Sequence, residues 1–197
     1  MSIPVKNHFA AAVLALALSG CVAGGDLDPA PTAPSGGDLV AITATGAGAL
    51  DGSVRYSSAA VEQAMPGYEA SGITMATEQQ TQNALALFKD GLQVLQVLPG
   101  SGGGIGAIHG VSVRLRGPGG ERIGMTMAEA RVARADCREG TGNWIGMPIC
   151  RSRTAPNVTL VFAIPGYMSP DGLPDDATLS TATLQRIIWT PAGGTPS

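Results

Sequence analysis

A period of two dominates the pattern of apolar and polar positions along the chain. Val111, Val113 and Leu115 alternate with Ser112, Arg114 and Arg116, and Val158, Leu160, Phe162 and Ile164 form a second such run. Alternation of this kind turns one face of a strand towards a core and the other towards water. Leu85 to Phe88 and Leu92 to Leu98 are apolar-rich runs on either side of Lys89-Asp90-Gly91. An Asp-Gly pair between such runs predicts a hairpin. Leu184 to Trp189 closes the patterned region. Two helices are also predicted. Ser57 or Ser58 caps one that ends before Pro66-Gly67, and Thr126-Met127-Ala128-Glu129 is a capping box opening one that runs towards Cys137. Strands outnumber helices and short turns join neighbouring strands. The sequence therefore predicts a single α+β domain, with a mainly antiparallel sheet and two or three short helices.

The first residues carry a different pattern. Lys6 and His8 precede an apolar run from Phe9 to Leu18, which ends in Leu18-Ser19-Gly20-Cys21. A basic start and about ten apolar residues are the layout of a secretory signal, and a span would need roughly 20. The last four residues look like a bacterial lipobox, in which the cysteine thiol is acylated and cleavage falls before it. Two or more acyl chains hold a membrane stably where one does not, at ~0.8 kcal/mol per buried methylene. Residue 22 is Val rather than the Asp associated with inner-membrane retention, which points to the periplasmic face of the outer membrane. Residues 1–20 are thus expected to be a signal and residues 21–37 a lipidated cysteine with a Pro- and Gly-rich linker. Residues 38–190 are expected to be the folded domain, and residues 191–197 a loose tail.

Composition narrows the function classes. Gly (28) and Pro (14) are abundant, so turns must be frequent and helices short. Removing Lys6 with the signal leaves 11 bases against 15 acids, a net charge of −4. Nucleic acid is not an expected partner, because it requires a dense basic surface that displaces counterions. With Cys21 acylated, Cys137 and Cys150 remain. An even remainder in an oxidising compartment reads as a disulfide. The alternative, a metal site, would need further ligands, and only His109 survives signal removal, with no CxxC pair. No metal and no cofactor are expected.

The second half also resembles a known family. The resemblance rests on residues 123–129 (IGMTMAE), Cys137 and Cys150, the run Pro-Asp-Gly-Leu-Pro-Asp-Asp at 170–176, and Ile187-Ile188-Trp189. It extends back through Gly46, Gly67-Tyr68 and Lys89-Asp90-Gly91. Together these resemble the RpoE-regulated lipoprotein family, a domain of unknown function. The resemblance implies an outer-membrane lipoprotein, a disulfide between Cys137 and Cys150, and a link to the envelope stress response. It supplies no catalytic residues.

Four constellations merit a chemical reading. Pro99 to Gly106 is glycine-rich but lacks GxGxxG spacing and a following GK[ST], so it reads as a loop between strands. His109 shares the face of Ile105, Ala107, Val111 and Val113 under strict alternation, which makes it a structural residue. Asp171, Asp175 and Asp176 lack the alternate-position spacing of a calcium loop, and Asp175 or Asp176 reads as the cap of a turn beginning at Ala177. Arg114 with Arg116, and Arg151 with Arg153, are two i,i+2 pairs. If both segments are strands and lie together, the four form a cationic patch for an anionic envelope component such as lipopolysaccharide, peptidoglycan or an acidic protein. The competing reading is a solvated sheet face.

The sequence thus predicts a lipid-anchored, non-enzymatic envelope protein that acts by binding or structural support. The alternative is an envelope hydrolase centred on His109, with an acidic partner such as Asp171 or Asp175.

Overall fold

The computed structural model describes residues 40–169 and 172–193. The signal, Cys21, the whole linker, Asp38 and Leu39, Pro170 and Asp171, and the last four residues of the tail lie outside them. In chain order the elements are β1 (Val40–Ala41), α1 (Ser58–Ala64), β2 (Glu69–Ala76), β3 (Thr81–Lys89), β4 (Leu92–Pro99) and β5 (Ile105–Gly110). They continue as β6 (Leu115–Arg116), β7 (Cys137–Glu139), β8 (Pro148–Arg151), β9 (Val158–Ala163), α2 (Asp176–Ser180) and β10 (Thr183–Trp189). Eight strands form one sheet in the order β2-β3-β4-β5-β10-β9-β8-β7, antiparallel throughout. β1 and β6 pair in parallel, apart from that sheet.

This architecture corrects the α+β expectation. Strand is the dominant regular structure among the described residues, and the two α-helices hold only seven and five residues. The helix predicted from Thr126 towards Cys137 is where the class was misjudged. Its capping box does form: the Glu129 carboxylate accepts from Thr126 N at 2.7 Å, and Glu129 N donates to Thr126 Oγ1 at 3.2 Å. The helix then closes after a single turn. Val132 N reaches back to Met127 O at 3.2 Å and Arg131 N to Ala128 O at 3.1 Å. This is the Schellman pattern, with Arg131 in the left-handed conformation at φ 54°. A 3-10 turn over Arg134–Asp136 follows, leading straight into β7.

A second correction concerns the central strand. Residues 105–110 pair in the sheet, whereas residues 111–114 leave it and Val113 is 57% exposed. The glycines within β5 are needed there. A Cβ at Gly106 would stand 2.6 Å from Gly100 Cα, and one at Gly110 would stand 2.4 Å from Leu115 Cδ1. Elsewhere the pattern holds. Ser57 caps α1 through its hydroxyl, and Asp175 caps α2 by accepting from Thr178 N at 2.8 Å. Asp90 (φ 52°) and Gly91 (φ 74°) make a two-residue hairpin turn with both dihedrals positive, matching strand twist.

The sheet has two buried faces. The larger core takes Leu85, Leu87, Val97, Ile108, Leu160 and Trp189 from the strands, with Val61 of α1 and Leu115 packed on them. On the opposite face are two small clusters: Met75, Ala84, Leu98 and Ala107, then Trp144, Ile149, Val161 and Ile188. The β2–β3 turn reaches the β7–β8 connection, although β2 and β7 end the strand order on opposite sides. There Asn143 donates through its side chain to Thr77 O and through its backbone to Glu78 O, both at 2.9 Å.

Candidate functional site

The register fixes where His109 goes. In β5 it stands opposite Gln96 of β4 and Ile188 of β10, on the face carrying the two small clusters. The Trp144 ring lies 6.2 Å from the imidazole, centroid to centroid. His109 is completely buried, and neither ring nitrogen has a hydrogen-bond partner among the described residues. Burial first, and then the nearby positive charge of Arg186, lower its pKa from 6.5 to about 3. Arg186 itself donates to Gln96 Oε1 at 2.6 Å, and its pKa is lowered by burial. A bulge between Leu184 and Arg186 sets this strand's phase. Sequence alternation found His109's face, but nothing in the sequence announced the Arg186–Gln96 pair beside it.

The acids proposed for it are otherwise engaged or outside view. Asp175 spends its carboxylate on the α2 cap, and Asp171 lies outside the described residues. The glycine-rich stretch forms a 3-10 turn over Ser101–Gly103, closed by Gly100 N donating to Gly104 O at 2.8 Å. It borders an open hollow of about 650 Å³ whose described lining includes Gln80 and Gln82 but no ionisable side chain.

The four arginines divide. Arg116 belongs to β6, outside the eight-stranded sheet. Arg114 is half-buried, its charge is felt by Tyr68, and its Nε is buried without a partner. Arg151 ends β8, and Arg153 follows it, pairing with Asp136 at 2.5 Å. Arg151 and Arg153 line one hollow of about 210 Å³ that contains neither Arg114 nor Arg116. The bridge Cys137–Cys150 is formed, with Cα atoms 3.9 Å apart across the directly paired strands β7 and β8. It joins the residue after Asp136 to the residue before Arg151.

Fold and site together define a β-sheet domain with a disulfide-braced edge and a neutral, buried histidine at its centre. A family model described as "Protein of unknown function (DUF1131)" matches residues 30–191, and the chain belongs to that family. Among solved structures it is similar to the uncharacterized protein yfeY from Escherichia coli, at 16% identity and a TM-score of 0.59. That match covers 77% of this chain and 98% of the other, and it speaks for the fold alone. A search of curated proteins found no relative.

Proposed function

We propose that this chain is a bacterial envelope lipoprotein, acylated at Cys21, whose domain works in the periplasm by binding or structural support rather than by catalysis. In this reading residues 1–20 are removed, residues 21–37 tether the domain, and the lipid sits in the outer membrane. The partner is an anionic envelope component, and expression rises with envelope stress under RpoE.

One observation carries the non-catalytic part. The sole histidine beyond the signal is buried, and its ring nitrogens meet no hydroxyl or carboxylate among the described residues. A general base must reach its proton within about 3 Å, and it works best with a pKa near the working pH. A fully buried histidine whose pKa is pushed down to about 3 meets neither condition. The anchor is supported by the spacing of Lys6, the apolar run and Leu18-Ser19-Gly20-Cys21.

Metabolic labelling with an alkyne fatty acid tests the anchor. Label should enter the wild type and be lost in Cys21→Ser, which should also leave the outer-membrane fraction. Equal incorporation in both would overturn the reading. A promoter reporter followed through heat or ethanol stress tests the regulatory part, and a flat response would remove it.

A further inference from the structure

We propose that the hollow beside the disulfide is a binding site for a phosphomonoester, held by Arg131 and Arg151 with Arg153 at its rim. This deepens the binding role proposed above and rests on it.

The first argument is charge. The hollow is lined by three arginines, Arg131, Arg151 and Arg153, against two acids, Glu121 and Asp136. Both acids are engaged. Asp136 accepts from Arg153 Nε at 2.5 Å, and the buried Glu121 turns its carboxylate onto Gly119 N at 2.7 Å. Arg131 and Arg151 make no ion pair or side-chain hydrogen bond among the described residues, and both are exposed. With Arg153 paired to Asp136, Arg131 and Arg151 outweigh the one remaining carboxylate, Glu121, and leave the hollow net positive. Their two forked donor groups suit the several oxygens of a phosphomonoester better than the two of a carboxylate. Size agrees. Drug-sized ligands occupy roughly 300–1,000 Å³, and about 210 Å³ suits one charged head group with little beyond it.

The second argument is the backbone. Arg131 occupies the position that closes a Schellman turn, at φ 54°. Glycine takes that conformation without steric conflict, whereas an L-residue does not. Arginine therefore stands where local structure favours glycine, at a residue that lines the hollow. The opposite wall is braced independently. The Cys137–Cys150 bridge fixes the chain immediately after Asp136 and immediately before Arg151. The backbone is thus held on both sides, by the closed turn at Arg131 and by the cross-linked strands before Arg151, so the ordering left for an anion is that of the two arginine side chains.

The test uses the full lipidated protein in non-ionic detergent, with phosphorus NMR of inorganic phosphate and of glucose 1-phosphate. Saturable broadening that weakens with salt is expected for both. Arg131→Gln with Arg151→Gln should weaken it by about tenfold or more, because two charge-assisted contacts are removed. Arg114→Gln with Arg116→Gln should leave it unchanged, and both variants should melt within a few degrees of wild type. Flotation with phosphatidylcholine vesicles doped with phosphatidic acid separates the two sources of the group. Since the anchor itself floats, this arm uses Cys21→Ser protein that begins at residue 21, without the signal. Capture by the doped vesicles alone assigns the group to a lipid head, and capture by neither vesicle assigns it to a soluble phosphate. Absence of saturable broadening in the wild type, or undiminished broadening in the Arg131/Arg151 variant, would overturn the site. Lipopolysaccharide retained equally by wild type and that variant, but lost from the Arg114/Arg116 variant, would overturn this site while the wider binding reading stands.

Discussion

Arg138 grips Glu78 with two parallel hydrogen bonds, Nη1 to Oε1 at 2.6 Å and Nη2 to Oε2 at 2.7 Å. The two residues come from opposite ends of the strand order, Arg138 in β7 and Glu78 in the turn after β2. Thr141 completes the carboxylate's shell, donating from its backbone nitrogen at 2.9 Å and its hydroxyl at 3.0 Å. A sheet whose hydrogen-bonded ladder stays open is thereby fastened by side chains.

Glu78→Gln should therefore destabilise the domain by about 1–3 kcal/mol, the usual cost of losing charge-assisted hydrogen bonds at a buried carboxylate. Burial raises the pKa of Glu78, but the bonds from Arg138 and Thr141 outweigh it and hold the carboxyl below its ordinary 4.5. A depressed carboxylate contributes stability above the unfolded pKa and loses it as pH falls through the folded one. Denaturant midpoints measured below pH 4.5 should accordingly fall less steeply in Glu78→Gln than in wild type. Parallel curves would count against the clasp.

His109 gives a separate pH window. Below pH 6.5 the unfolded chain takes up a proton that the folded chain declines until about pH 3, so acid favours unfolding across that interval. The slope should approach about 1.4 kcal/mol per pH unit. His109→Leu should remove it, and at neutral pH it should be neutral or stabilising, since no hydrogen bond is lost. A loss of several kcal/mol at pH 7 would mean that the imidazole has a partner.

Reducing Cys137–Cys150, which lie 13 residues apart, should lower stability by about 3 kcal/mol in the chain-entropy account. Melting with and without reductant measures this, and Cys150→Ser should reproduce it. Unchanged melting would imply that β7 and β8 hold their pairing unaided.

Arg131→Gly separates local stability from binding. Relief of the left-handed arginine should raise stability by up to about 1 kcal/mol, while phosphate affinity falls. A destabilised variant would show that the arginine side chain supports the turn itself.

The parts legible in the sequence are those set by local chemistry. The Asp90-Gly91 turn, the Ser57 and Asp175 caps, and β9 and β10 each depend on a few adjacent residues. β5 is legible in the alternation that places His109 with Ile105 and Ala107, but that alternation runs on past Gly110, where the strand itself ends. The capping box at Thr126 was read correctly as a start, but its stop was hidden, since arginine rather than glycine closes the turn. Glu78 sits in the polar run Thr77-Glu78-Gln79-Gln80, where no local pattern marks it as buried. Its partner lies 60 residues away, a distance that no local pattern spans. The strand expected to carry Arg114 and Arg116 differs for a related reason. Alternation at 111–116 was real in the sequence, but the chain departs from the sheet there before resuming as β6.

The chain's two tryptophans fall on opposite sides of the sheet, Trp189 in the larger core and Trp144 over His109. Their surroundings differ in kind: the Trp189 indole donates to Ala44 O at 3.0 Å, whereas Trp144 faces an imidazole that acquires charge only in strong acid. Each is a built-in optical probe of one layer. Replacing either with Phe leaves a protein whose emission follows the other layer by itself, so the order in which the two sides of the sheet come apart can be read from light alone.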